Sequence, residues 1–410
     1  MSKKLSLNSI SSIFAFIFVF AVTFALHALK LGEVGTLVVI PLGFFIFFIG
    51  RLSKTIKLLE LNLVFWYLLF FLFASISIFY SIDVDAAIGT QKKMFIVLLF
   101  TIAVFSYSIS SINTVKVIYR ANVFVLFTLI AYVLTLGIDM GSGQRIEENT
   151  LNANTYGYYV FTGLFSLFLL YTNRLNNKHR LIYIIIIIIA SIFSLWLILA
   201  SASRGASIIV SLLIAGNILI ITATSKKGIL RKSIISILFF LSVFQFASFV
   251  NDNYLKESYL LERFNDLEER ETPRAYHVIK AIEIGLDNPI LGVGAGNYAV
   301  VPKVLEQGSF SHNSFTEAFA NFGLMGLFVY LMIFYSLLKK ILKNLKTNNN
   351  QIRIINYQIL LFVFLFIVYN TLYVVYLSTI FMHFLFVIYA HLLLIEGSKT
   401  RNKINNSCIQ

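Results

Sequence analysis

The chain has 410 residues, 58% of them hydrophobic and 13% charged, and its mean hydropathy is +0.83. Soluble domains carry about a quarter charged residues, so a soluble globular protein is excluded. The formal net charge of +14 comes with one cysteine, Cys408, which leaves no disulfide framework and no thiol-based metal site.

Apolar runs of about 18 residues or more mark membrane spans, and "IYIIIIIIASIFSLWLILA" (182–200) is such a run. About twelve spans are predicted on this basis, near 10–29, 34–50, 61–80, 94–111, 116–138, 153–172, 181–201, 205–223, 233–250, 314–338, 354–372 and 374–395. The fold class follows: an all-α polytopic membrane protein. No dyad alternation signals a barrel, and in lipid a span must satisfy its backbone polar groups within itself. The second span is short, and the last two are divided only at "YNTLYVVY" (369–376). The opening "MSKKLSLNSI" looks like the start of a signal peptide. The apolar run behind it is too long and no A-x-A-like site closes it, so a retained first span is expected.

Orientation follows from the basic residues. With a cytoplasmic N-terminus, "RLSKTIK" (51–57), "NRLNNKHR" (173–180), "SKKGILRK" (225–232), "KKILKNLK" (339–346) and "SKTRNK" (398–403) all fall inside. Among the 19 acids only Glu60 and Glu396 join them. The net charge is therefore a topology signal and not a nucleic-acid patch, and both termini are expected in the cytoplasm. The units are residues 1–250 with nine spans, an external loop over 251–313, three further spans over 314–396, and a tail over 397–410.

Taken in chain order, the first polar signal is "ENTLNANTYGYY" (148–159), which puts Asn152 and Asn154 at the outer mouth of the sixth span. Their amides either bind sugar hydroxyls or cap the helix. In "LASASRGASIIVSLL" (199–213), Ser203 is a candidate N-cap and Arg204 opens the eighth span. The external loop holds "ERFNDLEERETPR" (262–274), and over 251–317 it carries six basic and eleven acidic residues, so it is no general anion trap. "ETPRAYHVIKAIEIGLDNPILG" (271–292) predicts an amphipathic helix on the membrane surface. Thr272 would cap it, Pro273 would begin it, and Val278, Ile279, Ile282 and Leu286 would form its apolar side.

Arg274 stands in the first turn of that helix, as Arg204 does in its own. A cation there opposes the helix dipole by about 0.3–1 kcal/mol. Each arginine is either a snorkelling or carbonyl-capping side chain or half of an anion site. Guanidinium forks beside helix N–H groups suit a phosphate or diphosphate.

"LGVGAGNY" (291–298) lacks the strand and βαβ context of a nucleotide loop and is expected to be a flexible turn. In "SFSHNSFTEAFANFGLMGLF" (309–328), Ser314 and Glu317 have capping-box spacing. That places His312 and Asn313 at the rim of the tenth span. The helix end and a nearby arginine should keep His312 neutral, able to take a proton from an attacking hydroxyl. Helix capping by its ring is the other reading. His277, three residues from Arg274, shares that helix face. His383 reads as a packed histidine, and no His/Asp/Glu spacing suggests a metal.

These motifs together resemble the O-antigen ligase/polymerase family of bacterial envelope glycosyltransferases. The resemblance rests on the Asn-x-Asn near the sixth span, the "SRG" at the eighth, Arg274 ahead of "NPILGVGAGN", and "SHNSFTEAFANFGLMG". The chain departs from the family at Val278, where an aromatic is common. The resemblance implies a GT-C-like, metal-independent inverting transferase without cofactor, in the bacterial inner membrane with its site on the periplasmic face. It implies a donor glycan on undecaprenyl diphosphate, Arg204 and Arg274 on the diphosphate, and His312 as the acceptor-activating residue. Asn152, Asn154, Asn313 and His277 would contact substrate. A ligase that adds polysaccharide to lipid A–core is the first reading, and a repeat-unit polymerase the second. A transporter, a different class, normally binds at mid-membrane on broken helices.

Overall fold

A computed structural model of the chain describes residues 7–25, 41–46, 61–135, 153–173, 180–201, 203–223, 273–301, 310–347 and 349–407. α1 (Leu7–Phe20) runs into one π-helical turn, Ala21–Ala25, and α2 (Asn62–Ile76) into a 3-10 turn, Ser77–Tyr80. Then come α3 (Val84–Ser108), α4 (Ile112–Thr135), α5 (Ala153–Thr172), α6 (Arg180–Ala200) and α7 (Arg204–Ala223). α8 (Pro273–Asp287), α9 (Ser314–Leu345), α10 (Asn350–Leu372) and α11 (Thr379–Ser407) complete the order. Among the described residues there is no strand. The ninth predicted span, most of the second, and residues 251–272 and 302–309 of the external loop lie outside the described residues, as do the Thr272 cap and Cys408.

Eight helical segments among the described residues are long and apolar enough to cross a membrane: α2 with its 3-10 turn, α3, α4, α6, α7, α9, α10 and α11. The protein is polytopic. α5 occupies the predicted sixth span but is not among the eight. It packs against α4, α6, α7, α10 and α11 at once, so other helices and not lipid surround it. Tyr156, Tyr159, Thr162 and Ser166 are buried along it. The fourth span begins at Val84 and not near 94, because the Asp83 side chain caps it by accepting from the Ala86 amide at 2.9 Å. The division between the last two spans is real: residues 373–378 leave the helix.

Helices in lipid gain no hydrophobic drive from one another and associate through packing and internal hydrogen bonds. Aromatic layers do this between α5, α10 and α11, with Phe165 stacked on Phe362 at 4.4 Å and Phe366 edge-on to Phe381 at 5.0 Å. At the far end of α9, Lys340 and Lys343 both pair with Glu396 of α11.

α9 is not one continuous helix. Gly323 has φ 63 and ψ −165, a conformation open in practice only to glycine. The break strands two carbonyls and two amides, and the loop after α8 supplies all four partners. Val293 and Gly294 amides donate to the Ala320 and Asn321 carbonyls at 3.0 and 2.8 Å. Leu324 and Met325 amides donate to the Pro289 and Ile290 carbonyls at 2.8 and 3.4 Å. Gly292, at φ 71, lies so close to α9 that a Cβ would fall 2.5 Å from the Phe322 amide nitrogen. The stretch expected to be a flexible turn is thus a fixed plug, with Val293, Gly294, Ala295 and Asn297 buried. It also ties α9 to α2, since the Ala295 amide donates to Ser77 Oγ at 2.9 Å.

α8 also has a face that its apolar periodicity did not indicate. Ala281, Ile284 and Gly285 face α9, with Gly285 directly against Phe319. On the predicted apolar side, Ile279, Ile282 and Leu286 are exposed, as residues turned away from the bundle would be. A helix read alone shows two apolar sides here, and the small residues won the close contact because they allow the backbones to approach.

Candidate active site

α9 begins at a turn that the sequence only partly describes. Asn313 is its N-cap, and Oδ1 accepts from the Phe315 and Thr316 amides at 2.9 and 3.2 Å. Ser314 is already helical. Its hydroxyl donates to the Tyr373 carbonyl at 2.8 Å and accepts from the Val375 amide at 2.8 Å. The expected Ser314–Glu317 capping box is therefore replaced by an Asn313 cap. Glu317 turns instead to Ser311, accepting its amide at 2.9 Å, and to the Tyr376 hydroxyl at 3.1 Å.

Between Ser311 and Asn313 stands His312, whose φ of 59 makes it the single non-glycine residue with positive φ among those described. Histidine tolerates this region better than most residues, at a cost of about 1 kcal/mol. The ring does not cap α9, and it lies edge-on to His277 with centroids 5.8 Å apart. Burial pushes the His312 imidazole down to about 4, and the Arg274 guanidinium and the His277 ring push it the same way. His277 is lowered by burial. Its ring is held by Tyr298, whose hydroxyl donates to the His277 carbonyl at 2.9 Å and lies 3.3 Å from Nδ1. With the hydroxyl proton so committed, Nδ1 carries the imidazole proton and Nε2 is the basic nitrogen.

Arg274 lies over the Tyr373 ring, 5.5 Å from its centroid, and no carboxylate pairs with it among the described residues. A cation on an aromatic face is held without being neutralised. The Tyr373 hydroxyl is 3.1 Å from Ser203 Oγ, immediately before α7 and its first residue, Arg204. Gly205 packs against the same hydroxyl, which a Cβ would approach to 3.1 Å. Tyr373 thus touches the start of α7, carries Arg274 on its face, and binds the start of α9 through its backbone. α5 closes the group from one side, with Tyr158 6.1 Å from Tyr373 and Gly157 against Ala206.

Four helix N-termini, those of α5, α7, α8 and α9, therefore gather at one end of the bundle. Their amide ends favour an anion. Of the residues singled out by sequence, Arg274, His277, His312 and Asn313 meet here, and Arg204 begins a helix whose flanking residues touch Tyr373. Asn154 falls in the first turn of α5, and Asn152 lies outside the described residues. Asn313 spends its side-chain oxygen on the cap.

Tyr373, Ser311, Tyr298 and Tyr376 were not legible as site residues. Tyrosines beside a span end read as membrane-interface anchors, and that signal conceals a second use. Tyr373→Ala should cost about 3 kcal/mol of stability, since a buried ring is lost. Tyr373→Phe should cost about 1 kcal/mol, the worth of one hydroxyl contact. Denaturation midpoints of the purified protein in detergent would separate the two.

Residues 189–331 match the model of the family described as O-antigen ligase. The matched stretch contains Arg204, Arg274, His277, His312 and Asn313, and stops short of Tyr373. No curated protein matches the chain. The helical membrane bundle and the match over residues 189–331 make this chain similar to the O-antigen ligase family of membrane glycosyltransferase-like enzymes.

Proposed function

We propose that the protein is a ligase that transfers a glycan from undecaprenyl diphosphate to a sugar hydroxyl of lipid A–core, on the outer face of the bacterial inner membrane. The observation that carries this reading is the convergence on Tyr373 of Arg274, the Arg204 helix end and the α9 start beside His312. Arg204 and Arg274 hold the donor diphosphate among the helix N-termini. His312 accepts the proton of the acceptor hydroxyl, whose oxygen attacks the anomeric carbon from the face opposite the diphosphate. The bond from that carbon to the diphosphate oxygen breaks with inversion. The charge that grows on the leaving group is balanced by the two guanidiniums. No step calls for a metal. α8 rides on the membrane surface with Ile279, Ile282 and Leu286 toward lipid, and both chain termini face the cytoplasm.

A repeat-unit polymerase uses the same residues with a second lipid-linked glycan as acceptor. A transporter fits less well. The one broken helix among the described residues, α9, has its freed backbone groups filled by the chain's own loop, which leaves none to coordinate cargo.

The test is transfer by purified protein from a lipid-diphosphate-linked glycan, with lipid A–core and a second lipid-linked glycan offered in parallel. Product on lipid A–core carries the ligase reading, and product only on the second acceptor replaces it with the polymerase. Arg274→Ala should lower transfer about a hundredfold, the scale of losing one transition-state charge partner. Arg204→Lys should lower it about tenfold, because an ammonium lacks the bidentate fork. EDTA should leave the rate within about twofold, and strong inhibition would overturn the metal-free step.

A further inference from the structure

We propose that Glu317 is a positioning residue for His312, acting through Ser311; this rests on the proposed role of His312. Glu317 is buried, one turn into α9, yet both carboxylate oxygens are engaged by groups outside its own helix. Oε2 accepts the Ser311 amide at 2.9 Å and lies 3.0 Å from the Ser311 hydroxyl. Oε1 accepts the Tyr376 hydroxyl at 3.1 Å.

Ser311 in turn braces both sides of His312. Its hydroxyl is 2.8 Å from the Asn313 carbonyl, shares one proton between that acceptor and Glu317, and accepts from the Asn313 amide at 3.2 Å. Residue 311 is thus tied to the carboxylate and residue 313 to residue 311 and to the cap. The left-handed residue between them is held on both sides. A helix cap alone does not require this, since Asn313 caps α9 without Glu317. A carboxylate in that place gives a strong anchor for the one described non-glycine residue held at positive φ. Glu317 touches neither His312's ring nor the proposed substrates. It fixes where the imidazole stands relative to Arg274 and His277.

The experiment uses full-length protein in nanodiscs, with Ser311→Ala, Glu317→Gln, the double variant and His312→Ala. Transfer rates are measured alongside modification of His312 by diethyl pyrocarbonate, followed by mass spectrometry. Each single variant should lower kcat about tenfold with KM values within about twofold, as misplacement of one catalytic group does. The double variant should be no worse than the poorer single, because both changes break one linkage. His312 should be modified several-fold faster in all three as its turn loosens. Single variants with normal kcat and unchanged modification, while His312→Ala is inactive, would overturn the lock and leave the function standing. An active His312→Ala would instead overturn the proposed role of His312, and faster modification in the other variants would still establish the lock. Losses that multiply in the double variant would show two independent contacts and overturn the linkage.

Discussion

His312→Ala is expected to leave a folded protein whose transfer rate is lower by about a thousandfold, within the range general bases supply. Folding should survive because Asn313 caps α9 and the His312 ring makes no hydrogen bond to the described residues. The wild-type pH profile should carry the same signature. An imidazole brought down to about 4 from 6.5 stays neutral, and so competent as a base, through the mildly acidic range. Activity should therefore be flat from neutral pH down to about 5 and fall with a midpoint near 4. Stability follows the same sign: a depressed folded-state value contributes stability above the unfolded value of 6.5, and the contribution is lost as pH falls toward about 4. A midpoint near 6.5, or more than a tenth of wild-type activity in His312→Ala, would sink the assignment.

Gly323→Ala is expected to be the most damaging single methyl in the described structure. Its backbone conformation excludes a side chain, at a cost of about 1–3 kcal/mol. The added Cβ would also strike the Ile290 carbonyl, which is backbone and cannot swing aside. Relieving that contact lifts the loop off α9 and exposes four hydrogen bonds, each worth about 1 kcal/mol. The total, about 5–7 kcal/mol, should appear as a large fall in denaturation midpoint or as failure to accumulate in the membrane. Gly89 provides the control. It lies in α3, where an added Cβ would meet nothing within 4 Å, so Gly89→Ala should be neutral or slightly stabilising. Equal behaviour of the two variants would show that the plug contributes little.

How far the sequence could be read depended on the range of the interaction. The spans were legible because hydropathy is a property of each segment alone. α5 formed over the predicted sixth span even though it carries several polar residues, which are buried against the other helices. The start of α9 was placed correctly at Ser314, but its cap was given to the wrong residue. Ser314-x-x-Glu317 has the spacing of a local box, and nothing in that spacing reveals that Tyr373 and Val375 compete for Ser314, from 59 and 61 residues away. For α8 the same limit hid the second face, the one against α9, because periodicity counts apolar side chains and does not weigh the close approach that Ala281 and Gly285 permit.

Residue order alone was enough to establish a helical membrane protein, with two arginines and a histidine at helix starts where local electrostatics disfavours the arginines. Those facts concern each helix separately. Packing in three dimensions was needed to bring the helix starts together, through Tyr373 in the break between α10 and α11, and to set the glycine-rich loop where it mends a broken helix. Both depend on which backbone groups and small residues come face to face once the helices pack, and no local pattern encodes that choice.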